Sequence, residues 1–241
     1  MSVLIVIPAR LGSTRLEGKV LLDIGGKPLI QHVWEKASLV KNADEVIVAT
    51  DHDDVVSAVN GFGGQAVLTD PNHESGSDRV LEVAQSKSHD YVVNVQGDEP
   101  FLTPKHIEEL IDELVKADAG AVTLCTAIED KKAYSDPNVV KVVKNLEGNA
   151  LYFSRASIPH DRDEASSSFF KHVGIYGFKK EILEQFSKWP QSELEKKEKL
   201  EQLRLLENGV NIKVVEVDHA SIGIDTQSDL EEARKIYNEE N

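Results

Sequence analysis

Short apolar, β-branched runs recur along the first half of the chain, each followed by a polar turn and then by apolar positions at helical spacing. Leu4-Ile5-Val6-Ile7 stops at Pro8, as a strand at the centre of a parallel sheet does. A turn at Gly25-Gly26-Lys27-Pro28 precedes an amphipathic helix expected from about Leu29 to Val40. The pattern then predicts a strand at Glu45–Thr50, a helix at Val55–Val59, a short strand at Ala66–Leu68 and a helix at Arg79–Gln85. A strand at Tyr91–Val95 and a helix from Pro104 to Lys116 complete the series. This alternation implies an α/β fold, a doubly wound and mostly parallel sheet whose ligands bind beyond the carboxyl ends of the strands.

The second half is richer in strands. Val139–Val143, the turn Asn145–Gly148 and Ala150–Phe153 read as a hairpin, and His172–Phe178 as a further strand. Between them Asp161–Ser168 is polar and is expected to be a mobile loop. Helices are expected at Lys180–Lys188 and Glu193–Glu207, then a strand at Ile212–Val215 and a helix at Ser228–Tyr237. The charged run Glu193–Glu201 reads as the wet face of a helix. The whole chain, 1–241, is expected to form a single domain with a strand-rich insertion at roughly 128–200.

Composition narrows the partners. Lys and Arg total 27 against 42 Asp and Glu, a net charge of −15, which repels a nucleic-acid backbone. The one cysteine, Cys125, excludes an internal disulfide and lies in the strand-like run Ala121–Thr126, where it reads as core. The N-terminal apolar run is too short and lacks the basic flank of a signal peptide, and no apolar stretch approaches membrane-spanning length. A cytoplasmic protein without nucleic-acid or membrane partners is expected.

Against this acidic background the loop after the first strand stands out. Ala9 to Lys19 gathers Arg10, Arg15 and Lys19 with Gly12 and Gly18 in one turn, which lets backbone N–H groups and fixed positive charge surround a polyphosphate. Neither a Walker A loop nor a GxGxxG fingerprint is present, and a solvated basic turn would have the same composition. Two acidic motifs follow strands: Gln96-Gly97-Asp98-Glu99-Pro100 and Gly223-Ile224-Asp225-Thr226. Asp98 and Asp225 converging on a triphosphate would suit Mg²⁺, a hard cation that prefers oxygen ligands. A turn-forming Asp98 and a helix-capping Asp225 fit the same residues.

Several segments, in order, carry a resemblance to a known family. They are Ile7-Pro8-Ala9-Arg10 through Gly18-Lys19, Ala49-Thr50-Asp51, Ser75-Gly76-Ser77-Asp78-Arg79, Asn94-Val95-Gln96-Gly97-Asp98-Glu99-Pro100, Ala150-Leu151-Tyr152-Phe153-Ser154-Arg155, Lys171-His172-Val173-Gly174-Ile175-Tyr176-Gly177 and Leu200-Glu201-Gln202-Leu203-Arg204. Over essentially the whole chain they resemble the 3-deoxy-manno-octulosonate (Kdo) cytidylyltransferases. The first strand, its loop and the QGDEP segment would also admit sialic-acid and other sugar nucleotidyltransferases; the last three segments narrow the match to Kdo.

The resemblance implies a nucleotide-diphospho-sugar transferase-like sheet with a smaller strand-rich part for sugar binding and dimerisation, and a homodimer. It implies the reaction of CTP with Kdo to give CMP-Kdo and pyrophosphate, for lipopolysaccharide assembly. Arg10, Arg15 and Lys19 would hold the triphosphate, Ala9, Ser75, Gly76, Arg79 and Gln96 would line the nucleotide, and Asp98 and Asp225 would hold Mg²⁺. Gln96, Arg155, His172, Tyr176, Glu201 and Gln202 would meet the sugar, although a single His or Tyr in a strand is by itself more often structural. Glu201 and Gln202 are helix neighbours that cannot share one face, and Gln202 is the firmer of the two. Glu17, Ser77 and His160 depart from the family's more frequent Pro, Thr and aromatic residue. The same reaction on 8-amino-Kdo, a metal-dependent glycosyltransferase and a non-catalytic nucleotide sensor are the competing functions.

Overall fold

The β-branched runs of the first half become strands, buried at Leu4–Ile7, Ile47–Thr50 and Val92–Asn94 and partly exposed at Ala66–Leu68. The computed structural model describes residues 2–12, 15–73, 75–117, 119–162, 169–218 and 223–240. They fall into two units, Met1–Glu108 with Ser221–Asn241, and Glu109–Ala220. In chain order the first unit carries β1 (Val3–Pro8), β2 (Asp23–Ile24), β3 (Lys27–Pro28), α1 (Leu29–Ser38), β4 (Glu45–Thr50), α2 (Asp53–Gly61), β5 (Ala66–Leu68), α3 (Gly76–Gln85) and β6 (Tyr91–Asn94). Helix α4 (Pro104–Lys116) leads out of it. β1 lies between β6 and β4, and β5 follows β4, all parallel. Val3 to Ile7 are buried without exception, the burial expected of a strand covered on both faces.

Caps set where the helices begin. α2 starts two residues before the expected Val55 because His52 Nδ1 accepts from Asp54 N at 3.1 Å, and α3 starts at Gly76 because Ser75 Oγ accepts from Asp78 N at 3.1 Å. The glycine turn after the basic loop is a two-stranded ribbon, β2 with β3, rather than a bare turn. Gly25 has φ +60, and a Cβ there would sit 1.9 Å from the Tyr237 ring, so only glycine fits.

The second unit carries β7 (Ala121–Ile128), α5 (Lys131–Ser135), β8 (Lys141–Lys144), β9 (Ala150–Ser154), β10 (Phe169–Lys179), α6 (Lys180–Phe186), α7 (Glu193–Glu198), α8 (Gln202–Glu207) and β11 (Ile212–Glu216). β7 pairs parallel with β11 and antiparallel with β10, and β8 pairs antiparallel with both β10 and β9. The expected hairpin is therefore present, its turn closed by Gly148 N donating to Asn145 O at 3.0 Å. Cys125 is free and buried, and burial pushes its thiol up to about 11, which makes it inert.

The expected helix Glu193–Glu207 is broken. Lys199 adopts φ 55, ψ 48, the chain turns, and Leu200 drops into the core before α8 begins. The charged run is exposed at Glu193, Lys196, Lys197 and Lys199, as a wet face would be, but not at Glu195. Glu195 is 4% exposed and bonds Arg204 through both oxygens, at 2.8 and 2.5 Å.

After the second unit the chain returns to the first with α9 (Gln227–Glu240). Arg234 Nε and Nη2 donate to Asp23 O at 2.9 and 2.8 Å, and Tyr237 meets His32 edge-on at 5.2 Å. Ile224, Leu230 and Ala233 complete an apolar cluster with Ile24 and Leu29. Among the described residues no helix is long and apolar enough to cross a membrane. Of the expected loop Asp161–Ser168, positions 163–168 lie outside the described residues.

Candidate active site

In the first unit the parallel strands deliver their carboxyl ends to one edge, where β1 runs into the basic loop and β6 into Gln96–Pro100. Gly97 is the point of closest approach: a Cβ there would lie 2.8 Å from Pro8 O. A side chain on Gly76, at the start of α3, would meet Pro8 and the Gln96 amide, so Ala9, Gly76 and Gln96 gather around the end of β1. Gln96 Nε2 is turned towards Asn94 Oδ1, at 3.1 Å.

The backbone also joins the two acidic motifs. Ile224 N donates to Asp98 O at 2.9 Å, and Ile224 itself is anchored in the apolar cluster beneath. Asp225 and Thr226 donate their N–H groups to Asp229 Oδ2 at 3.0 and 2.8 Å, which fixes the turn into α9. Asp225 is thus not the cap itself; Thr226 and Asp229 perform that role.

Lys19 spans the carboxylates. Its Nζ lies 2.7 Å from Asp98 Oδ2 and 3.0 Å from Asp225 Oδ1, and Arg15 Nη2 lies 3.1 Å from Asp225 Oδ2. Burial disfavours the Lys19 charge, but the two carboxylates more than offset this and hold its pKa above the ordinary lysine value. Arg10 is exposed and makes no ion pair among the described residues. The three cations of the loop therefore divide: Lys19 and Arg15 face the carboxylates and Arg10 faces solvent.

Arg79 points inward. It is buried, donates to Thr69 Oγ1, and lies 3.3 Å from Asp51 Oδ2. Asp51 Oδ1 accepts from Leu11 N at 3.0 Å, so the Arg79–Asp51 pair braces the basic loop from behind.

In the second unit a bulge brings the sugar candidates of β10 together. Val173 pairs with Leu124 but Tyr176 pairs with Thr123, so two extra residues are taken up on β10. His172 and Tyr176 would be about 13 Å apart along an extended strand. Their rings are instead 5.3 Å apart. The bulge strands carbonyls that Thr123 collects: its Oγ1 donates to Ile175 O at 2.8 Å and lies 3.3 Å from Val173 O. Sequence reasoning missed Thr123, although a hydroxyl in the middle of an apolar strand must find a partner.

The Thr123 contact also fixes the His172 tautomer. Thr123 Oγ1 gives its proton to a carbonyl, so the 2.9 Å contact with His172 Nε2 has Nε2–H as donor. Nδ1 is left as an acceptor. Burial, with the Lys171 charge adding to it, pushes the imidazole down to about 3. His172 is therefore neutral, and its one N–H is given to Thr123 Oγ1. The unfolded chain takes up this proton below about 6.5, so stability falls on acidification from about 6.5 towards 3. In His172→Gln that part of the slope should vanish, and urea midpoints at pH 7 and pH 5 measure it. An equal loss in both proteins would refute the assignment.

Tyr176 Oη and Gln202 Nε2 are buried without a hydrogen-bond partner among the described residues. Glu201 stands at the N-cap of α8 and Gln202 at its first position. Arg155 lies just beyond β9, not within it, and its Nε and Nη1 donate to Glu198 O at 2.9 Å and Pro137 O at 3.1 Å.

The cytidylyltransferase family model matches residues 4–212. The 3-deoxy-manno-octulosonate cytidylyltransferase of Geobacter sulfurreducens is 47% identical, over 96% of this chain and 97% of its own length, and that of Escherichia coli is 47% identical over 98% and 96%. A solved structure of CMP:2-keto-3-deoxy-manno-octonic acid synthetase complexed with CTP superposes with a TM-score of 0.97 at 45% identity, covering all of both chains. A 4-diphosphocytidyl-2C-methyl-D-erythritol synthase from Anaerococcus prevotii, 17% identical with a TM-score of 0.67 over 98% of this chain and 96% of its own, shares the fold. The chain belongs to the 3-deoxy-manno-octulosonate cytidylyltransferase family.

Proposed function

We propose that this protein transfers the cytidylyl group of CTP to Kdo, giving CMP-Kdo and pyrophosphate. The observation that carries the reading is the joining of Lys19, Asp98 and Asp225 at the carboxyl edge of parallel strands, in a chain of this family. The anomeric hydroxyl of Kdo attacks the α-phosphorus in line as pyrophosphate leaves, a reaction governed by positioning and charge. Arg10, Arg15 and Lys19 offset the triphosphate charge, and the Asp51-held backbone at Leu11 keeps the loop in place. Ala9, Ser75, Gly76 and Gln96 line the base and ribose.

The donor set fits Mg²⁺: two carboxylates already close enough to share one ammonium present hard oxygen ligands to a cation. Asp98 and Asp225 would hold it, and when bound it supplies charge neutralisation and a lower pKa for the attacking hydroxyl.

On the sugar side, a polyol acid needs groups that are not already satisfied. Tyr176 Oη and Gln202 Nε2 have that character, with His172 Nδ1 as an acceptor, Arg155 as the cation for the carboxylate and Glu201 beside Gln202. The same resemblance extends the proposal to a cytoplasmic homodimer serving lipopolysaccharide assembly.

Incubation with CTP, Kdo and Mg²⁺ is expected to release pyrophosphate and form CMP-Kdo together. CTP binding without turnover, or nucleotide release from a nucleotide sugar, would overturn the reading.

A further inference from the structure

A lysine is among the largest fully buried side chains of this protein. Lys141, on β8, aims its Nζ at three backbone carbonyls: Asp136 O at 2.9 Å, Val139 O at 2.6 Å and Arg155 O at 2.6 Å. Three donors meet three acceptors, which satisfies the ammonium without a carboxylate contact. Asp136 and Glu198 are the acidic groups around it and Arg155 is the other cation.

One of those carbonyls belongs to Arg155, and the rest of Arg155 is held by Glu198 on α7. Glu198 Oε2 accepts from Arg155 N at 2.9 Å, Oε1 accepts from Ser154 Oγ at 2.6 Å, and the Glu198 carbonyl accepts from Arg155 Nε at 2.9 Å. Pro137 O takes Nη1, so two carbonyls define the plane of the guanidinium. Nη2 is the nitrogen left without a partner among the described residues. Nε is occupied, so a ligand carboxylate has only the end of the fork open to it.

We infer that Glu198 and Lys141 are positioning residues for sugar recognition, clamping the Arg155 backbone from its two ends and setting the plane in which its guanidinium meets the sugar carboxylate. The inference rests on the reading of Arg155 as a sugar-binding residue. Neither side chain touches the reacting atoms, so loss of the clamp weakens Kdo binding and leaves the nucleotide chemistry unchanged.

The experiment is a double-mutant cycle on the purified full chain, reading kcat, the KM for each substrate and the thermal midpoint. Glu198→Gln keeps the shape but removes one of two acceptors. It should raise the KM for Kdo about tenfold, with kcat and the KM for CTP within about twofold. Glu198→Asp retains the charge and should recover part of the loss. On an Arg155→Ala background, Glu198→Gln should change the KM for Kdo by less than about twofold, because there is no guanidinium left to position. Lys141→Gln should act in the same direction as Glu198→Gln, and the Glu198 variants decide the matter if it does not fold. An equal effect of Glu198→Gln with and without Arg155, or no effect where Arg155→Ala has a large one, would overturn the inference. An unchanged KM for Kdo in Arg155→Ala would instead locate the fault in the reading of Arg155.

Discussion

Asp98→Asn and Asp225→Asn should each lower kcat by about a hundredfold or more while the protein stays folded. Each substitution keeps the size of the side chain and removes one negative charge from the pair that Lys19 spans. The fold should survive because the link between the two motifs is a backbone bond, Ile224 N to Asp98 O, and because Asp225 is held through its own N–H by Asp229. Lys19 keeps one carboxylate in either variant. Steady-state rates across a Mg²⁺ series, with circular dichroism as a folding control, are the measurement. Wild-type kcat at saturating Mg²⁺ would remove that residue from the metal site.

Arg155→Ala should raise the KM for Kdo by about thirtyfold or more, the effect of removing one partner from a desolvated charge pair worth about 2–5 kcal/mol. The KM for CTP should stay within about twofold. The guanidinium also donates to Glu198 O and Pro137 O, so a modest fall in thermal midpoint should accompany the kinetic change. A defect confined to CTP would assign Arg155 to the nucleotide.

The parallel half of the fold was legible because its signals are local. Leu4–Ile7, Val46–Val48 and Val92–Val93 are apolar on both faces, and only strands buried in a sheet tolerate that. Asp98 stands four residues beyond β6 and Asp225 in the turn into α9, and the structure brings both within reach of one lysine. Three features were not legible. The break at Lys199 uses a lysine in the left-handed region, where sequence patterns look for glycine, and its cause is the burial of Leu200. The β10 bulge depends on Thr123 of another strand collecting its carbonyls, a contact between residues about fifty positions apart. Lys141 and Glu195 look solvated in sequence; their burial depends on carbonyls and an arginine that only tertiary structure supplies.

The return of α9 to the first unit has a consequence for the order in which this protein is made. Asp225 meets Lys19 across 206 positions, and the whole second unit is synthesised between Asp98 and Asp225. On the ribosome the strands of the first unit emerge before α9, which brings Ile224 into their apolar cluster and Arg234 onto Asp23. Closing a loop of this length adds little entropy beyond that of a shorter one, since each doubling costs only about 0.6 kcal/mol. The delay is therefore one of timing, and a nascent chain acquires its second carboxylate only after the whole second unit has been synthesised.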